Sequence, residues 1–335
     1  MIARLSVAPP FVLSVPADAA FRIYEYEAAG YKVRFFPPAR GPCMETQKHG
    51  GLTIDGVQAC QCDIIRIDFI AERFKRTPEP LFDPPCEVIQ SVLDSYVVRL
   101  RHVTGAPGIR PFQLGETSSE IIYLNDDETP LPQEQGSVRG RGRFVLCGSH
   151  NALTASMWDE VHSLPTDYVP PPWESLLLDA TLSGVSSGNS IVLATTALEV
   201  FISHVLDGLA TRRAQPNGLW EWINNRFDHE REPSLEEQYD VLLKVLTSHS
   251  LKEDRGLWQA FRDVKSARNS FVHEGIARIG KASEPVDPKT VRSLIHSAEL
   301  VISKIREWLP DDMRWKQQDQ KPEIRIWKRL LSPFH

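Results

Sequence analysis

The chain has 335 residues, 41% of them apolar, and a formal net charge of −6; this exceeds the usual span of one core, so two domains are expected, and it excludes a surface that binds nucleic acid along its whole extent. No run of 18 apolar residues offers a membrane span, and Pro9-Pro10 comes before any stretch long enough for a signal peptide, so a cytoplasmic protein with no membrane partner is expected. The five cysteines (Cys43, Cys60, Cys62, Cys86, Cys147) form no disulfide framework; Cys60 and Cys62 are the only close pair, and zinc there would need His49 or His102 as well, so reduced structural thiols are expected.

Residues 1–168 read as a mixed, β-rich domain. Phe21–Tyr26 and Tyr31–Phe36 alternate in polarity around Ala29-Gly30, a hairpin pattern, and Cys62–Phe69 continues as strand. After Pro84-Pro85 the period changes: Val88, Ile89, Val92, Leu93, Tyr96, Val97 and Leu100 mark an amphipathic helix over 87–100. Glu120–Leu124 and Arg139–Leu146 are further strand candidates. In the second, Arg139, Arg141 and Arg143 share one face, where they would either contact phosphates or form a solvated strand surface.

The cluster Pro170-Pro171-Pro172 is stiff and lacks backbone donors, which predicts a domain boundary. Helices follow through 173–310: Trp173 to Val185, then a wide apolar face from Ile191 to about Arg212, then a short segment from Leu219 to Phe227. Ser234-Leu235-Glu236-Glu237 is a capping box that opens a helix to about Thr247, and Asp287-Pro288 opens the last long helix, whose stripe runs from Val291 to Trp308. The expected fold class is α+β, a β-rich N-terminal domain followed by an all-α up-and-down bundle. The segment 311–335 is a basic and aromatic tail that sequence leaves unassigned.

Between the last two helices lies Arg268-Asn269-Ser270-Phe271-Val272-His273. Leu257, Phe261, Val264 and Phe271 form the apolar stripe of a helix starting near Leu251, and Arg268 occupies the vacant step, so its guanidinium should reach a carboxylate or edge a groove that an anion can enter. Asn269 and His273, four apart, share a face, and Gly275 is a C-cap beyond them. Glu199, beside the apolar face of its helix, is a candidate carboxylate partner for Arg268 or an ordinary exposed Glu. From Leu251 to Lys281 seven basic residues stand against four acidic ones, with Arg262, Lys265 and Arg278 near the motif as candidate phosphate contacts.

The Arg-x4-His string with Asn after the Arg, preceded by Trp173–Ala180, Ser187-Gly188-Asn189 and the helix carrying Ala197-Leu198-Glu199, resembles the HEPN superfamily over roughly 173–310. The resemblance implies a metal-independent endoribonuclease without cofactor. In that reading a ribose 2′-OH attacks the adjacent phosphorus, Arg268 stabilises the developing charge, His273 moves protons and Asn269 orients the phosphate or the imidazole. It also implies RNA as substrate, a homodimer that pairs two motifs, and a toxin or antiphage role, with the N-terminal domain regulating the nuclease, receiving a trigger or selecting targets. Some HEPN-like bundles bind nucleotides or partners without cutting, which is the second expectation. A third makes Arg139, Arg141 and Arg143 the ligand site and leaves the bundle only to dimerise.

Overall fold

The computed structural model describes residues 2–43, 51–71, 84–114, 117, 119–131, 151–182, 186–212, 233–280, 284–315 and 322–327. The predicted strand 139–146 with its three arginines, the helix 219–227, His49, Cys147 and Lys281 lie outside these residues. The chain divides into two compact units, Met1–Pro170 with Gln318–His335, and Pro171–Gln317, so the division falls in the proline cluster.

The first unit is organised by one long strand. Its elements are β1 (Ile2–Val7), β2 (Leu13–Pro16), β3 (Tyr24–Ala28), β4 (Tyr31–Phe35), β5 (Ala39–Cys43), β6 (Gly51–Ile54), β7 (Val57–Ile70), α1 (Cys86–Thr104), β8 (Ser119–Leu124), β9 (Asn151–Ala152), α2 (Ala155–Ser163) and β10 (Ile324–Trp327). β7 pairs antiparallel with β1, β2, β4, β5 and β6, and β8 extends the sheet beyond β1. The β3–β4 hairpin turns at Ala29 (φ 52°) and Gly30 (φ 82°), the paired left-handed conformation that matches strand twist and that glycine adopts without strain. In register across β1, β7 and β4, Asp68 stands between Arg4 and Arg34; it is fully buried and accepts from Arg4 Nε at 2.7 Å and Nη2 at 2.8 Å. β10, from the segment left unassigned by sequence, pairs with the outer side of β6.

The opposite sheet face is apolar and carries α1 and α2. The predicted stripe of α1, apart from the half-buried Val88, is buried with Leu5, Val33, Phe35, Ile67 and Phe69, each such side chain contributing roughly 1.5–3 kcal/mol on burial. α2, which has no clear sequence pattern, is capped by Thr154 Oγ1 accepting from Met157 N, and it is pinned by Trp158 Nε1 donating to Arg22 O at 2.8 Å. Cys60 and Cys62 are buried thiols in no disulfide, and burial pushes the Cys62 thiol up to about 12, so it stays protonated. His102 is engaged by the Tyr168 hydroxyl at 2.9 Å.

The second unit is helical. α3 (Pro172–Ala180) stops short of the predicted Val185, because Thr181 N closes on the carbonyls of Leu177 and Leu178 in a tightened final turn. α4 (Ser187–Arg212) is the central helix, packing on α3 and burying Ile191, Ala194, Leu198, Phe201, Ile202 and Val205. Its length and composition would allow it to cross a membrane, although it holds no unbroken apolar run; half of its most apolar window is buried in this core. Next, α5 runs through Leu235–Glu237, a π-helical Gln238–Leu242 and Leu243–Thr247, opened by the expected box in which Ser234 Oγ accepts from Glu237 N and Glu237 Oε2 accepts from Ser234 N. A 3₁₀ turn, Leu251–Glu253, precedes α6 (Arg255–Glu274), and α7 (Pro288–Trp308) is capped by Asp287 as predicted. α6 therefore begins four residues later than its stripe suggests. The cause is Asp254, whose carboxylate accepts from Gly256 N at 3.1 Å and Leu257 N at 3.0 Å and so fixes the first turn.

Candidate functional site

The motif occupies the last two turns of α6. Phe261, Val264 and Ala267 are fully buried, while Leu257, Trp258 and Phe271 pack on the core with part of their surface exposed. Ala267 thus fills the step in which the stripe appeared vacant, and Arg268 is moved to the edge of the seam, half-buried. Nη1 of Arg268 donates to Asn269 Oδ1 at 3.2 Å, and no carboxylate among the described residues pairs with the guanidinium. His273, one turn beyond Asn269, is exposed and has no hydrogen-bond partner among the described residues. The helix then ends at Gly275, left-handed at φ 72°, whose N–H bonds to Phe271 O at 2.8 Å.

The segment after the helix folds back along it. Ser270 Oγ donates to Ile276 O at 2.7 Å, Gly280 N donates to Ser266 Oγ at 2.9 Å, and Ala277 is buried. This return brings Arg278 against Glu274 in an ion pair. Lys265 pairs with Glu236 of α5 at 3.1 Å. Of the three predicted phosphate contacts, two therefore have carboxylate partners, and Arg262 is exposed without an ion pair among the described residues.

Glu199 makes no ion pair with Arg268. It lies on α4, half-buried, near Tyr239, whose hydroxyl is held well above its ordinary value first by burial and then by the Glu199 charge. Tyr239 is fully buried and donates to Leu198 O at 2.8 Å, and its ring packs tilted against Phe261 at 4.6 Å, so the π-helical turn of α5 ties α4 to α6.

A second tie lies closer to the motif. Gly188, in the first turn of α4, sits so near Phe271 that a Cβ there would fall 2.0 Å from the ring. Only a residue without a side chain permits this approach, and it seats the start of α4 beside the turn that carries Arg268, Asn269 and His273. Ser187-Gly188-Asn189, expected ahead of the helix, forms its first turn, and the glycine answers to this contact. Among the described residues no group of three His, Cys, Asp or Glu side chains could hold a metal ion. Compared with protein-family models, curated proteins and solved structures, the chain matches none.

Proposed function

We propose that the helical unit is an endoribonuclease that cleaves RNA with the substrate's own 2′-OH, in the manner implied by the HEPN resemblance. The observation that carries this reading is a half-buried guanidinium without a carboxylate partner among the described residues, steadied by Asn269, one to two helical turns from an exposed imidazole. An exposed imidazole can take the 2′-OH proton, while a guanidinium with no carboxylate partner among the described residues can bind the phosphoryl oxygens as charge accumulates. The leaving 5′-oxygen needs a proton from a second acid. A second copy of the chain supplies it if two motifs face each other, as the resemblance implies. The N-terminal unit is then a regulator or target selector, and a toxin or antiphage role follows by analogy alone.

A noncatalytic binding module is the second reading. It is favoured by the pairing of Lys265 with Glu236 and of Arg278 with Glu274, which removes free positive charge from the surroundings of the motif. One RNA oligonucleotide and its twin carrying 2′-O-methyl at the cut site, incubated with the full chain in excess EDTA beside His273→Ala, separate the two. Cleavage of the first only, leaving a 2′,3′-cyclic or 3′-phosphate and a 5′-hydroxyl, is expected. Binding without cleavage by wild type and variant alike overturns the nuclease.

A further inference from the structure

The least expected charge lies in the other unit. Arg99 continues the buried stripe of α1, seven residues after Val92 and three after Tyr96, and it is 1% exposed. Nε donates to Ser95 O at 3.2 Å, and Nη1 donates to Val161 O and Leu164 O at 3.3 and 3.4 Å; Nη2 has no acceptor, and among the described residues no carboxylate pairs with the guanidinium.

Four more polar atoms in the same cluster are buried: the hydroxyls of Tyr26 and Tyr96 and both ring nitrogens of His162; the Tyr26 oxygen faces the Arg99 guanidinium, and none of the four makes a well-formed hydrogen bond among the described residues. They belong to one box. Arg99 lies over the Tyr26 ring at 5.5 Å, Phe35 lies 5.8 Å from Tyr26, 5.0 Å from Tyr96 and 5.2 Å from His162, and Tyr96 is 6.0 Å from His162. Trp158 closes one side at 4.3 Å from His162, and Tyr24 stacks on His162 at 4.6 Å. Tyr24, Tyr26 and His162 are half-buried, so the box approaches solvent along these three side chains. The carboxylate on this side, Asp159, accepts from Tyr24 Oη at 2.6 Å.

A buried cation with no carboxylate partner among the described residues and unsatisfied phenol donors in one place are each strongly unfavourable, and a single anion relieves both. The box cannot neutralise itself. Burial first, and Arg99 second, hold His162 down to about 3, so the imidazole is neutral at physiological pH; burial holds both phenols above their ordinary value, so they remain O–H donors. The box therefore carries one positive charge, which one negative charge balances, whereas a dianion would bring surplus charge into apolar surroundings. We propose that Arg99 Nη2 and the hydroxyls of Tyr26 and Tyr96 form an internal site for one small monovalent anion of the halide class, reached past the Tyr24–His162 pair.

The test uses the full chain in sodium gluconate, with chloride or bromide, or sulfate as control, exchanged in at constant ionic strength. Amide hydrogen exchange over 86–104 and 155–163 is followed by mass spectrometry. Halide should slow exchange in both segments saturably, by at least about tenfold at saturation, and sulfate should not. Tyr26→Phe with Tyr96→Phe keeps both rings and removes two donors, so it should raise the half-saturating halide concentration at least about tenfold, the worth of roughly one good hydrogen bond. Equal exchange in gluconate and chloride, or an unchanged halide response in the double variant, overturns the site.

Discussion

Replacing Gly188 with Ala tests whether the contact between α4 and α6 sets the geometry of the motif. The new Cβ would stand 2.0, 2.2 and 2.3 Å from three ring carbons of Phe271, against about 3.5 Å for a relaxed contact, so the ring must retreat by about 1.5 Å. Either the ring swings out and loses its burial or the last turn of α6 moves, and overpacking of this kind costs about 1–3 kcal/mol. Alanine also gains about 1 kcal/mol over glycine within a helix, so the net loss of stability should be only about 0–2 kcal/mol. The motif has no such offset. A displacement of about 1 Å among reacting groups lowers rate by about a hundredfold, so RNA cleavage should collapse while urea denaturation shifts little. Phe271→Leu shortens the ring that is struck, and combined with Gly188→Ala it should restore both stability and the His273 imidazole NMR shifts toward wild type. If Gly188→Ala leaves those shifts unchanged, and the two substitutions add within about 0.5 kcal/mol, the contact does not position the motif.

Arg268→Ala and His273→Ala should each remove most RNA cleavage while costing no more than about 1 kcal/mol in urea denaturation, since neither side chain fills core volume; wild-type rates in both variants would sink the catalytic assignment. His162 titrates near 6.5 when unfolded and is held to about 3 in the fold, so between these values the unfolded chain binds a proton that the native chain does not. Its contribution is complete above about pH 6.5 and is lost on acidification at roughly 1.4 kcal/mol per pH unit. At fixed salt, His162→Phe should flatten the pH dependence of hydrogen exchange over 86–104, and an unchanged slope refutes the assignment. Tyr239→Phe should cost about 0.5–1.5 kcal/mol by deleting the bond to Leu198 O, measured as a shift of the urea midpoint with an unchanged slope.

What was legible in the sequence depended on how local its cause is. The α+β class, the Ala29-Gly30 turn, the Ser234 box, the Gly275 and Asp287 caps and the stripe of α1 rest on residues a few positions apart, and all appear in the structure. Asp55-Gly56 between β6 and β7 carries an equally strong turn pattern, and its φ values of 50° and 81° repeat those of Ala29 and Gly30. Nonlocal causes were harder to see. Nothing near Gly188 announces Phe271, 83 residues away, and α2 owes its burial to a sheet built mostly before residue 71. Arg99, like Arg268, falls at a step of its helix's apolar stripe. The structure leaves Arg268 at the edge of its seam because Ala267 fills the step, whereas no small neighbour displaces Arg99, which goes fully inside.

The pairing of β10 with β6 makes the order of synthesis matter. Ile324 stands opposite Ile54 and Trp327 opposite Gly51, so the sheet of the first unit keeps a bare outer edge on β6 until more than 270 further residues have been made. The helical unit lies wholly between these partners in the chain and closes its own core from residues 171–317. On a ribosome the bundle can therefore be complete while the sheet still waits for its last strand, and that late closure spans a long loop. A fragment cut at Pro170 repeats the unfinished state permanently. Recombinant versions of the β-rich unit should be joined to 318–335 through a short linker in place of the bundle, or they will present an unpaired strand to one another at working concentrations.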